Sequence, residues 1–98
     1  MKRDEVIAKL QARQGEIKAA GVEHVQLFGS TVRGDARPDS DIDLLVDINP
    51  SRKWTLVSVS HAQNVLSDIV GAEVDMCVRP WMRRAFAPYI LAEAVDVF

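Results

Sequence analysis

The sequence predicts a small α/β protein: a short mixed sheet with helices packed on one face, in a single domain spanning residues 1–98. Three observations predict it. Residues 41–47 and 72–78 alternate apolar and polar side chains with the period of two that a half-buried strand requires. The segments before and between them carry apolar residues at helical spacing and end on glycine, as helices do. A chain of 98 residues lies near the lower end of sizes that bury a self-sufficient core, which leaves room for a few helices on one sheet and for no second domain.

Each element has a local reason. Asp4 is expected to cap a first helix with Val6, Ile7, Leu10 and Ile17 on one side, ended by Gly21. Residues 23–28 then alternate over the first five positions and run into Gly29-Ser30, the pattern of a strand entering a turn. Between Thr31 and Ser40 the Gly, Asp, Arg, Pro and Ser content favours a short helical turn followed by a loop. Residues 41–47 form the clearest strand, with Ile42, Leu44 and Val46 on one face and Asp41, Asp43, Leu45 and Asp47 on the other. Asn49-Pro50-Ser51 is expected to turn the chain into a helix bearing Leu56, Val59, Leu66, Ile69 and Val70, stopped by Gly71. In the third strand Val74, Met76 and Val78 oppose Glu73, Asp75 and Cys77. Pro80 is expected in the first turn of a closing helix that buries Trp81, Phe86, Ile90, Leu91, Ala94 and Val97.

Composition narrows the class. A hydrophobic share of 48% against 27% charged excludes a wholly disordered chain. Lys and Arg number 12 against 14 Asp and Glu, a net charge of −2, so no basic field steers the protein onto nucleic acid and no direct nucleic-acid partner is expected. Cys77 is the only cysteine, which excludes an intrachain disulfide. The start Met1-Lys2-Arg3-Asp4-Glu5 lacks the apolar run of a signal peptide, and no stretch is long enough to span a bilayer; a cytoplasmic protein without a membrane partner is expected.

The chemistry concentrates between residues 29 and 46. Asp41 and Asp43, two residues apart on a strand, place two carboxylates on one face roughly 7 Å apart. Their mutual repulsion is a poor structural device but becomes a binding site once a hard divalent cation, Mg²⁺, neutralises it. Asp75 brings a third carboxylate if its strand is a neighbour, with Glu73 as the alternative of the same parity; such a group could bind an ion or accept a proton from an attacking hydroxyl. The Gly29-Ser30 turn offers backbone N–H groups and a hydroxyl to phosphate oxygens. Arg33 could neutralise a leaving pyrophosphate, or pair with Asp35 or Asp39 on the surface. His24 and His61 lack the spacing of a metal pair. Trp54, Trp81 and Phe86 are core or a partner-facing patch, and Arg79, Arg83 and Arg84 a solvated face.

Gly29-Ser30, ten intervening residues, Asp41-Ile42-Asp43 and the later Val74-Asp75-Met76 together resemble the minimal nucleotidyltransferases of the DNA polymerase β-like superfamily, over essentially the whole chain. The resemblance implies that fold, with Gly29, Ser30 and Arg33 holding a nucleoside triphosphate, ATP in the leading case. It implies that Asp41, Asp43 and Asp75 are catalytic and bind two Mg²⁺ ions. It also implies an antitoxin that adenylylates and silences a HEPN-type ribonuclease toxin, because the chain carries no second domain to hold an acceptor. Two other classes stand beside it: a non-catalytic module that silences its partner by occlusion, and the catalytic subunit of a small-molecule nucleotidyltransferase.

Overall fold

Strands β1 (Val22–Phe28), β2 (Ile42–Ile48), β3 (Val74–Val78) and β4 (Val95–Asp96) form one sheet in the order β3-β2-β1-β4, in a computed structural model that describes residues 1–98. β1 is antiparallel to both β2 and β4, whereas β2 and β3 are parallel. The sheet is therefore mixed, as the sequence predicts. Parallel pairing of β2 with β3 needs a crossover, and helix α4 (Leu56–Val70) supplies it.

Helices α1 (Arg3–Ala12), α2 (Gln14–Ala19) and α4 cover one face of the sheet. Val6, Leu10, Ile17, Ala62, Leu66 and Val70 from these helices share one core with Val25 and Leu27 of β1, with Ile42, Leu44 and Val46 of β2, and with Val74 and Val78 of β3. The alternation in each strand thus selects the buried face. Between β1 and β2, helix α3 (Ser30–Arg33) is the short helical turn expected before the loop.

Three local expectations are corrected. The first helix is two, because Arg13 leaves helical geometry at φ −118° and ψ 26°. Gly15, a weak helix former, follows that break and makes it cheap. Asp4 lies in the first turn rather than at the cap, which is Lys2 without a side-chain cap bond; the carboxylate there still complements the helix dipole. Helix α4 starts at a capping box of Thr55 and Ser58 rather than at the Asn49-Pro50-Ser51 turn. Its buried stripe is Ala62, Leu66 and Val70 at intervals of four, and Leu56, off that stripe, is 83% exposed.

A fourth correction is the largest. The long closing helix does not form: a 3₁₀ turn (Arg79–Trp81) gives way to an irregular segment, then α5 (Ala87–Glu93), and the chain ends in β4. Pro88 explains the interruption, since it lacks an N–H and is tolerated only in a helix's first turn, where it stands here. Val97 is buried, donating its N–H to the Val25 carbonyl at 2.9 Å, while Val25 donates to the Phe98 carbonyl at 3.1 Å. The valines at 95 and 97 thus serve a strand edge rather than a helix face. Trp81, Phe86 and Leu91, expected in the core, are 56%, 55% and 49% exposed.

Candidate active site

The second face of the sheet carries the acids. On β2 the register sets Asp43 directly beside Asp75 of β3 and opposite Phe28 of β1, the residue before the Gly29 turn. Neighbouring strands lie about 4.8 Å apart, so both carboxylates rise side by side from the sheet. Asp41 is exposed one residue before β2 begins. Farther along the same face Leu45 is fully buried among its register neighbours Gln26 and Cys77. Beyond it the Arg79 guanidinium bridges the Asp47 carboxylate at 2.7 Å and the Gln26 side chain, closing that end. The acids are left at the other end of the sheet, beside the turn.

The turn is built around a left-handed glycine. Gly29 has φ +81°, a region that side chains rarely adopt, and a Cβ on it would fall 2.2 Å from Asp43 Oδ2. Only glycine lets the turn and the carboxylate approach so closely. Ser30 is the first residue of α3, and the Val32 and Arg33 N–H groups close the turn on the Gly29 carbonyl at 3.1 and 3.2 Å.

Asp43 has its pKa raised above the ordinary carboxylate value, first by burial, then by Asp75 and by Asp41, with Arg33 opposing and Glu93 adding slightly. Negative charge is in excess at this point. Hard oxygen donors crowded without enough compensating positive charge fit a divalent cation, which removes the repulsion that raises the pKa. No three His, Cys, Asp or Glu side chains are drawn into a preformed metal cage. Like charges keep carboxylates apart, and here the backbone register, not a side-chain cage, assembles the acids.

Arg33 is held by acids of the chain itself: Nε donates to Asp35 at 3.3 Å and Nη1 to both oxygens of Glu93 at 3.1 Å. The ion pair with Asp35 is one of the two surface alternatives that the sequence leaves open; Glu93, from α5, lies outside the candidate set. Its Oε1 also accepts the Gly29 N–H at 2.8 Å. No spacing rule connects residues 64 apart, so only the return of the C-terminal segment reveals the contact.

An open cavity of about 860 Å³ joins most of these groups, while Ser30 and Asp41 stand outside its lining. Gly29, Arg33, Asp43, Asp75 and Glu93 line its polar end, while Trp81, Phe86 and Tyr89 line its apolar end. The arrangement places a phosphate-sized turn, paired carboxylates and an apolar wall around one space large enough for a nucleotide.

The family model described as nucleotidyltransferase domain matches residues 4–96. The chain is 33% identical over 97 residues to the protein adenylyltransferase MntA of Thermococcus cleftensis, covering 96% of this chain and 94% of that protein. A solved chain assigned as a minimal nucleotidyltransferase superposes with a TM-score of 0.70 at 30% identity, over 97% of this chain and 95% of that one. A complex of a tri-AMPylated Shewanella oneidensis HEPN toxin with its MNT antitoxin gives a TM-score of 0.65 at 12% identity, over 94% and 71% of the two chains, a likeness of fold.

Proposed function

This chain belongs to the nucleotidyltransferase domain family, and from that premise we propose that it transfers an adenylyl group from ATP to a hydroxyl of a HEPN-type ribonuclease toxin, acting as the antitoxin that silences it. The observation that carries this reading is the register of Asp43 with Asp75, with both carboxylates and Gly29 of the turn on one cavity. A similar protein is named a protein adenylyltransferase, and a similar fold sits in complex with an AMPylated HEPN toxin, which supports the acceptor class.

In this reading Ser30 receives the triphosphate through its backbone N–H and hydroxyl, Gly29 lets that backbone approach closely, and Arg33 faces the pyrophosphate that leaves. Asp41, Asp43 and Asp75 are the ligands for Mg²⁺, two ions in the full complement. Bound there, Mg²⁺ supplies charge neutralisation at the α-phosphate and at the attacking and leaving oxygens. The acceptor hydroxyl oxygen forms a new bond to the α-phosphorus, the bond from that phosphorus to the bridging oxygen breaks, and pyrophosphate departs. Asp75, on the more exposed strand, takes the hydroxyl proton. Trp81, Phe86 and Tyr89 form the apolar wall on the side from which the acceptor protein approaches.

The test uses ATP labelled on the α-phosphate in one reaction and on the γ-phosphate in another, with Mg²⁺ and lysate of the source cell. Label on a protein of toxin size from the α-position alone is the expected result. Label from the γ-position alone means phosphorylation and refutes the proposal. A labelled metabolite in place of a labelled protein identifies a small-molecule transferase instead.

A further inference from the structure

Glu93, outside the sequence-predicted set, hydrogen-bonds two members of the turn. Its Oε1 accepts the Gly29 N–H at 2.8 Å, and both carboxylate oxygens lie 3.1 Å from Nη1 of Arg33. The two contacts fall on opposite ends of α3, so a single carboxylate spans the whole turn. A helix of four residues has little stability of its own, because nucleation costs more than so few hydrogen bonds return. Its shape must be imposed from outside, and Glu93 does so from the last residue of α5.

Arg33 is held in the same way. Asp35 takes Nε and Glu93 takes Nη1, and these two bonds fix the plane of the guanidinium. The remaining edge of that planar fork then points in one direction. A long arginine side chain otherwise loses much rotamer entropy when it engages a phosphate, and pre-orientation removes part of that cost. β4, which follows at once, is hydrogen-bonded to β1, so the carboxylate is carried on a segment tied to the strand that leads into the turn.

We propose that Glu93 is a positioning residue of the nucleotide site: its carboxylate shapes the Gly29-Ser30 turn and aims Arg33, and nucleotide affinity depends on it although it is not itself a phosphate ligand. This rests on the functional reading above. It adds to that reading a residue from the C-terminal segment.

The experiment measures binding of the non-hydrolysable ATP analogue AMP-PNP with Mg²⁺ to the full chain by calorimetry, beside thermal unfolding and amide exchange at Gly29. Glu93→Ala is expected to weaken AMP-PNP about tenfold, as loss of an orienting outer partner commonly does. Its Gly29 amide should also exchange faster. Glu93→Gln keeps an oxygen that can accept the Gly29 N–H but loses the charge on Arg33, so it should protect the amide and recover part of the affinity. Equal affinity in wild type and Glu93→Ala overturns the proposal, whatever happens to the melting temperature. Tighter binding by Glu93→Ala also overturns it, since the carboxylate would then be competing with phosphate for the turn. Failure of the wild type to bind AMP-PNP at all refutes the nucleotide reading itself, an outcome separate from wild type binding and Glu93→Ala binding equally.

Discussion

Asp43 and Asp75 are register partners on parallel strands β2 and β3, although 32 positions separate them in the chain. Backbone hydrogen bonds hold the two residues at neighbouring positions on one face, so only rotation of the side chains can ease their repulsion. The sheet therefore stores an electrostatic cost that a bound cation would relieve.

Replacing either member should remove transfer while sparing the fold. Asp43→Asn and Asp75→Asn are expected to lower the rate of adenylyl transfer at least about a hundredfold, the scale of losing a proton acceptor or metal ligand. Toxin neutralisation in cells should fall with it. Neutralisation retained by both variants would mean that the protein acts by occlusion.

The same substitution at Asp43 should stabilise the metal-free protein. Its folded pKa is raised by burial and by Asp75 and Asp41, so the folded state holds the proton more tightly than the unfolded chain does. Stability from this group is therefore fully present below the unfolded carboxylate value, about pH 4, and is lost as pH rises through the folded pKa. Asp43→Asn should raise the melting temperature at pH 7 without metal, and the advantage should vanish below about pH 4. Added Mg²⁺ should raise the melting temperature of the wild type more than that of the variant.

Gly29→Ala meets two obstacles, a φ of +81° and a Cβ 2.2 Å from Asp43 Oδ2. The backbone conformation alone costs about 1–3 kcal/mol in a residue other than glycine. Urea unfolding should show a loss of at least that order. Transfer activity should fall further than stability does, because the displaced group is the carboxylate proposed as a metal ligand. An alanine variant as active and as stable as wild type would mean that the turn can open away from β2.

The exposed aromatic wall gives the opposite pattern. Trp81 and Phe86 are more than half exposed, so Trp81→Ser and Phe86→Ser should change unfolding free energy by no more than about 0.5 kcal/mol. If the toxin docks against them, affinity for it should fall by about 2 kcal/mol or more for at least one variant, the scale of an aromatic anchor. Titration of purified toxin checks this.

Much of the architecture was legible because short-range rules decide it. The alternation in residues 41–47 and 72–78 picks out the core face of β2 and β3, and Gly71, in left-handed geometry, stops α4 where expected. The closing segment was not legible. Ile90, Leu91, Ala94 and Val97 satisfy a helical pattern, but Val95 and Val97 satisfy a strand pattern equally well, and pairing with β1 decides between them. The proline at 88 marked the interruption locally, yet nothing local says that the chain turns back to the sheet.

Residue type and strand parity are properties of the chain, and they alone single out the residues proposed to carry the chemistry, the Gly-Ser turn and the three aspartates. The sequence also determined the face of β2 on which Asp43 stands. Only the tertiary structure decided that β3 lies beside β2 in the register that joins Asp43 to Asp75, and that Glu93 returns to Gly29 and Arg33. Strand order and the path of the last segment are set by which long-range hydrogen bonds and buried faces satisfy one another together, and no window of sequence contains both partners.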